Sequence, residues 1–318
     1  MSVCARCESP LASEDLRCAV CGLPVPPDER YRGKVVAKVL RCDECGAALT
    51  YQVEVQAPKC AFCGSVAHVE LSEDPIEEAE LFLPFVVDRA TAQSALRQWL
   101  GSLGWFHPSD LKSAATLASL TPLWWVAWTF DVDALVSWTA DSDAGARTSS
   151  WAPHAGQSPI SLRQTLVSAS RGLTEKEVQK LTPHFDMASA LRKPPPTPGA
   201  AMERFDVQRS AARQTIARAV EGVARNHASH WIPGSTYRNL HVAVMPKRLV
   251  TRRYALPTYV LAYRYKDTLY RAVVHGQNAN LVLGKAPMSI AKIALVVGLV
   301  FAAIALAIVV LGLVAAVQ

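Results

Sequence analysis

No cysteine of the 318-residue chain stands alone, and none of the compact catalytic signatures occurs in it. The phosphate-cradling loops G-x-x-x-x-G-K-[ST] and G-x-G-x-x-G, the zinc-protease H-E-x-x-H and the nucleophile elbow G-x-S-x-G are all missing. The eight histidines are scattered. His227 and His230 share a predicted helix at i, i+3, a pairing that reads as a helix C-terminus rather than as a metal site. No residue is therefore nominated as catalytic, and the expectation is a non-enzyme. Near Met1 there is no apolar stretch of the kind a secretory leader carries, so the cysteines are expected to stay in a reducing compartment, without a disulfide framework.

The eight cysteines fall into four Cys-x-x-Cys pairs: Cys4/Cys7, Cys18/Cys21, Cys42/Cys45 and Cys60/Cys63. Two thiolates at this spacing grip one ion from the tip of a tight turn, and two such pairs close a tetrahedral Cys4 site. The expectation is a double zinc ribbon holding two Zn2+ ions, with ribbon 1 over residues 1–27 and ribbon 2 over 38–69. Iron in a rubredoxin-like site is the chemical rival, because S4 geometry suits both metals. Thioredoxin-type redox chemistry is a weaker reading, since four pairs give ligand arithmetic better than they give one nucleophile with a resolving partner. Gly46 and Gly64 follow the knuckles of ribbon 2, where positive φ turns backbone amides toward the sulfurs. In ribbon 1 Glu8 follows Cys7, which predicts a smaller, looser unit.

Charge is absent from Ile293 to Val317, 25 consecutive residues. As a helix that run is about 37 Å long, against roughly 30 Å of bilayer hydrocarbon. A single C-terminal transmembrane helix is expected over 290–317, with Lys285 and Lys292 on the N-terminal side of its uncharged run placing the N-terminal domains in the cytoplasm by the positive-inside rule.

Between ribbons and tail, residues 70–80 carry Glu70, Glu73, Asp74, Glu77, Glu78 and Glu80, and read as an acidic linker. Residues 81–289 then read as one α+β domain of mixed helix and antiparallel sheet. Leu81–Val87 predicts a strand, Asp88 the cap of a helix to about Leu100, and Asp110–Leu120 a second short helix. Leu123–Asp133 predicts a long buried strand carrying Trp124, Trp125 and Trp128, with Trp138 beyond it. A loop or hairpin tip is expected over Asp141–Pro159, and Val178–Ala201, with five prolines, excludes one regular element. Glu203–His230 predicts a long amphipathic helix with Phe205, Ala212, Ile216, Ala219 and Val223 on its apolar stripe and Arg209, Arg213, Arg218 and Arg225 on a solvated side. Thr258–Tyr265 and Thr268–Val274 predict a hairpin about Lys266-Asp267, with Tyr259, Leu261, Tyr263 and Tyr265 on one face.

The formal charge of +6 is uneven: from Arg192 to His275 fifteen Lys and Arg face four Asp and Glu, a local balance of +11. Beside an anionic leaflet each such cation adds about 1 kcal/mol of attraction. Lys247, Arg248, Arg252, Arg253, Lys285 and Lys292 are accordingly expected to face lipid. Nucleic acid would answer to the same field and is the alternative partner.

The knuckles, Leu83-Pro-Phe85, Trp99-Leu, Leu123-Trp-Trp-Val-Ala-Trp128, Leu261-Ala-Tyr-Arg-Tyr-Lys266, Leu269-Tyr-Arg271 and Gly276-Gln277 together resemble a bacterial family of membrane-anchored zinc-ribbon proteins. Its members often carry the label primosomal protein N-prime-like helicase or TFIIB-type zinc-ribbon protein. The resemblance spans most of residues 38–289, although Asp267 stands where the family hairpin commonly has Gly. It implies a non-catalytic membrane protein, similar to those that work beside SPFH-domain and phage-shock-type proteins in envelope maintenance. The expected function is a tail-anchored adaptor or scaffold whose ribbons recruit a protein partner at the membrane. The alternative is a nucleic-acid-binding or transcription-linked protein.

Overall fold

The fold is a computed structural model that describes residues 2–11, 15, 17–21, 23–25, 37–42, 48–50, 67–72, 77–145 and 150–317; for residues 2, 37–41, 48–50, 67–72, 307 and 309–317 the description is of the backbone alone. The first strands, β1 (Ser2–Val3) and β2 (Pro10–Leu11), pair antiparallel. β3 (Ala37–Cys42) lies between β4 (Ala48–Thr50) and β5 (Ala67–Ser72), both antiparallel to it. Then come β6 (Leu81–Phe82), α1 (Arg89–Ser102), α2 (Leu111–Ala114), β7 (Thr116–Ser142) and β8 (Ala152–Ser168). They are followed by α3 (Glu175–Leu181), β9 (Ala201–Met202), α4 (Arg209–Ala228), β10 (Tyr237–Tyr265), β11 (Thr268–His275), β12 (Asn278–Gly284) and α5 (Ile290–Val317).

Two very long strands carry the domain: β7, of 27 residues, and β10, of 29, run antiparallel from Tyr237 opposite Ser142 to Arg264 opposite Thr116. The main sheet has the order β12-β11-β10-β7-β8, with β6 and β9 adding short parallel pairings to β10 and β7. The two ends of this sheet are covered differently, and the sequence of β7 follows the difference. From Leu123 to Phe130 every residue is buried, because layers press on both faces. Trp125 and Ala127 join Leu83, Leu173, Leu181 and Phe185 on one side, whereas Val126, Trp128 and Phe130 meet α4 on the other. Beyond Asp131 only the α4 side is covered among the described residues. Burial then alternates, with Val132, Ala134, Val136, Trp138 and Ala140 inward and Asp131, Asp133 and Asp141 on the opposite face.

Asp88 caps α1 as expected, its carboxylate accepting from the Thr91 amide at 2.7 Å. The buried Ala92, Ala95, Leu96 and Leu100 of α1 pack on Tyr259, Leu261, Tyr263 and Tyr265, which do share one face of β10. Lys266 and Asp267 close the β10–β11 hairpin with φ of 45° and 63°, the left-handed pair a two-residue turn needs. Asp takes that conformation at moderate cost, so glycine is dispensable at 267.

Several boundaries depart from expectation. α2 stops at Ala114, since residues from Thr116 onward pair with β10 and tertiary pairing overrides a weak helical pattern. Only Leu81–Phe82 of the predicted Leu81–Val87 strand forms a ladder; Pro84 has no N–H, and the chain turns so that Val86 and Val87 donate to the Gly276 carbonyl at 3.0 and 2.9 Å. The Asp141–Pro159 loop is shorter than expected, because β8 begins at Ala152 and tolerates Pro153 and Pro159 as an edge strand. α4 starts at Arg209 rather than Glu203, and its buried stripe is Ala212, Ile216, Val220, Ala224 and Ala228, one residue per turn. Ala219 is exposed, and Phe205 lies ahead of the helix, where it meets Trp128 edge-on with ring centroids 4.9 Å apart.

Among the described side chains of α5, Ile290, Leu295, Leu299, Phe301 and Leu306 are each more than half exposed. Among the described residues no helix is long and apolar enough to cross a membrane.

Candidate metal centre

Each knuckle of ribbon 1 sits at the tip of a miniature hairpin. The β1–β2 pair delivers Cys4 and Cys7, with the Cys4 amide donating to the Ser9 carbonyl at 2.9 Å and the Glu8 amide donating back to the Cys4 carbonyl at 2.9 Å. A bridge between Arg17 and Pro24 delivers Cys18 and Cys21, closed by the Cys18 amide on the Leu23 carbonyl at 2.8 Å. Glu8 adopts φ of 55°, the left-handed conformation that a glycine takes after a knuckle. The missing glycine therefore costs local strain, without opening the turn.

These hairpins bring all four sulfurs within 4.8 Å of one another, with Cys4 and Cys21 at 3.5 Å and Cys7 and Cys18 at 3.5 Å. A tetrahedron with metal–sulfur bonds of about 2.3 Å has edges of about 3.8 Å, so the set fits one tetrahedral ion. Titration points the same way. Backbone amides of Arg6 and Cys7 directed at Cys4 hold its thiol down at about 6. The Ser9 amide favours the Cys7 thiolate too, but burial and the neighbouring thiols of Cys18, Cys21 and Cys4 outweigh it and push Cys7 up to about 12. Cys4 ionises readily, and a cation at the centre is what would let Cys7 follow. The chain thus has one cluster of four cysteines able to hold a metal ion. Of the second expected set, Cys42 is buried and belongs to the core cluster that also holds Leu83 and Tyr254, and Cys45, Cys60 and Cys63 lie outside the described residues.

Ribbon 1 is docked on the domain. Ala19 and Val20, at the tip of the second knuckle, pack into the cluster formed by Trp128, Ala212 and Ile216. Asp15, between the knuckles, has a side chain 2% exposed and takes Arg209 Nη1 at 3.1 Å and Arg213 Nη2 at 2.7 Å. Arg209 also reaches Glu77 and lies over the Trp128 ring at 5.3 Å. Arg253 pairs with Glu77 at 3.1 Å and Glu80 at 3.4 Å. Two expectations are corrected here. Arg209 and Arg213 are not on a solvated side of α4, because they serve as counter-ions to the ribbon. Glu77 of the acidic run is mostly withdrawn from solvent, between Arg209 and Arg253, whereas Glu80 stays exposed while pairing with Arg253.

Of the other basic residues singled out, Lys247 is exposed, Arg248 approaches Asp133 at 3.9 Å and Arg252 binds Asp131 at 2.6 Å. Lys285 is exposed, and its carbonyl accepts from Tyr263 at 2.7 Å. Lys292 donates to the His107 carbonyl at 2.9 Å. Sequence reasoning passed over Asp15, one of three acids inside ribbon 1, and Trp105-Phe106, whose only signal is two adjacent aromatics in a predicted loop.

No family model matches the chain, and no curated protein or solved structure is similar to it at a meaningful level. The residues that carried the resemblance converge on packing. Trp125, Leu261 and Tyr263 are buried, and Gln277 staples three segments through Pro84, Ser189 and Asp186 at 3.2, 3.2 and 2.9 Å.

Proposed function

We propose that the chain is a non-catalytic zinc-ribbon protein, tethered to a membrane by its C-terminal helix, that presents its metal-bound ribbon on the cytoplasmic side as a docking platform for a protein partner. The observation that carries this reading is the pairing of a four-thiol cluster seated on a rigid sheet with an apolar helix issuing bare from the same sheet. No helix of the described residues is by itself long and apolar enough to cross a membrane, so the tether rests on the sequence: the 25 uncharged residues from Ile293 to Val317 have the length a bilayer needs, and a helix apolar on every side is stable only when something apolar covers it. Zinc would be held by Cys4, Cys7, Cys18 and Cys21, with a second ion expected on Cys42, Cys45, Cys60 and Cys63; what it supplies is folding free energy. The resemblance to membrane-anchored zinc-ribbon proteins supports the same class, and with it a partner of SPFH-domain or phage-shock type in envelope maintenance.

Positions along β10 give the platform its reach. Arg253, which shares Glu77 with the ribbon-binding Arg209, is ten residues from Tyr263, which binds the chain just before α5. At about 3.3 Å per residue that separation is roughly 33 Å.

Against nucleic acid as the partner stands the pairing of Arg209, Arg213, Arg252 and Arg253 with carboxylates, which leaves less free charge for phosphate. The test is affinity purification of the full chain from detergent-solubilised membranes, wild type beside Cys4→Ser/Cys18→Ser. A protein partner lost with the ribbon cysteines supports the proposal. Recovery of nucleic acid that washes off with salt, or of no ribbon-dependent partner, overturns it.

A further inference from the structure

At the base of α5 the fold holds a second apolar element, formed by a distant part of the chain. The segment between α1 and α2 turns at Gly104, whose carbonyl accepts from the His107 amide at 3.0 Å, and leaves Trp105 54% and Phe106 44% exposed, edge to face with centroids 5.5 Å apart. The turn is bound to the start of α5 by three contacts. The Ser289 amide donates to the Phe106 carbonyl at 2.8 Å, His107 Nδ1 meets the Pro287 carbonyl at 2.7 Å, and Lys292 Nζ donates to the His107 carbonyl at 2.9 Å. Lys292 Nζ also lies over the Trp105 ring, 5.5 Å from its centroid. Met288 and Ile290, 57% and 82% exposed, extend the same patch.

We infer that Trp105 and Phe106 form a second membrane contact, seated in the interfacial layer of a phospholipid bilayer where α5 enters it; the inference rests on the tethered reading above. Three properties select lipid over another occupant. The patch is continuous with the apolar surface of α5, so one covering body serves both. Its composition is that of an interfacial belt, in which a Trp ring with an apolar body and a polar N–H sits at headgroup depth. The cation beside it, the Lys292 ammonium, lies over the Trp105 ring and on the His107 carbonyl, which sets a positive charge at the depth where lipid headgroups carry negative ones. Because the three contacts join positions about 180 residues apart, the aromatics cannot turn independently of α5. With one helix alone the domain could swivel about the tether, and a second, rigidly coupled contact fixes which side of the sheet faces the bilayer.

The test reconstitutes the full chain in phosphatidylcholine–phosphatidylglycerol vesicles and compares wild type with Trp105→Phe. Flotation reports the tether, and tryptophan quenching by lipids brominated near either end of the acyl chain reports depth. The expected result is flotation of both proteins, with quenching of wild type by bromines near the headgroup that falls roughly twofold in Trp105→Phe, since the other tryptophans lie in or against the folded domain. Flotation with identical quenching in the two proteins overturns the aromatic contact and leaves the tether standing. Failure to float overturns both. Trp105-dependent crosslinking between copies, without lipid quenching, would assign the patch to a second copy and also overturn the inference.

Discussion

Asp15→Asn separates a docked ribbon from a loosely tethered one. Asp15 is the only described carboxylate of ribbon 1 that is buried, and it accepts from two guanidinium groups at 3.1 and 2.7 Å. Removing one partner of a buried ion pair costs about 3–5 kcal/mol, because the remaining charge is stranded away from water. Arg209 keeps Glu77, and Arg213, at 20% exposure, can turn toward solvent, which puts the loss at the lower end, near 3 kcal/mol. For a domain of this size that is a fall of roughly 6–12 °C in melting temperature. If docking itself is weaker than this, the ribbon lifts off and hydrates the arginines, and the cost appears as faster metal loss. The assay is thermal unfolding of the full chain in detergent followed by circular dichroism, with the rate of metal transfer to a chromogenic chelator measured alongside. A double-mutant cycle with Arg209→Met completes it. A coupling below about 0.5 kcal/mol, with an unchanged chelator rate, would refute the docked arrangement.

Purified chain should carry at least one tightly held divalent ion, and Cys18→Ser should lose one ion by elemental analysis while the sheet domain keeps its far-ultraviolet spectrum. His275, buried against Phe185 with its Nδ1 accepting from the Gln277 amide at 3.0 Å, is depressed to about 4 by burial and by nearby His184. Its folded pKa lies below the ordinary 6.5, so the unfolded chain takes up the proton first: the neutral ring's contribution is whole above pH about 6.5 and erodes as pH falls toward 4, by up to about 3 kcal/mol. Urea unfolding at pH 7 and pH 5 should show that slope flattened in His275→Asn. Gly276→Ala should cost about 1–3 kcal/mol, since a Cβ there would lie 2.5 Å from the Pro257 carbonyl oxygen, a backbone atom that cannot swing aside; a change under 0.5 kcal/mol would count against this geometry.

Local chemistry was legible in the sequence wherever a short spacing imposes it. Asp88 before Ala92, Ala95 and Leu96 announces a capped helix, and the Cys4/Cys7 and Cys18/Cys21 pairs announce a ligand set before any fold is known. Elements decided by distant partners were not legible. Thr116–Leu120 reads as the end of a helix until Tyr263 and Leu261 arrive from the far side of the chain to pair with it. Arg209 was misplaced for the same reason: amphipathic periodicity assigns a charged residue to solvent, and only the fold brings Asp15 and Glu77 across 194 and 132 positions to bury it. Glu8 misled differently, because strain at one φ is affordable when two rungs of hydrogen bonds fix the turn around it.

The long strands explain how one chain can carry a cluster able to hold a metal and the proposed membrane contact without a hinge between them. Each strand of the β7–β10 pair crosses both halves of the sheet, so the half that carries α4 and the ribbon shares its backbone hydrogen bonds with the half that carries α1, the Trp105 turn and the start of α5. A bend between halves would have to break ladder bonds in a stretch where Leu123–Phe130 is buried on both faces, which is the costliest place to expose backbone. Between the sheet and the described part of ribbon 1, by contrast, the contact is the charged seam of Asp15 with Arg209 and Arg213, together with Ala19 and Val20. Ionic strength should act on that seam only weakly, because Asp15 and Arg209 are 2% and 9% exposed and screening acts on charges that meet water. The melting temperature of the wild-type chain should thus change little between low and high salt, whereas Asp15→Asn, once its arginines are hydrated, should bind anions and gain stability from sulfate; equal salt responses in the two proteins would mean that the seam is open to solvent from the start.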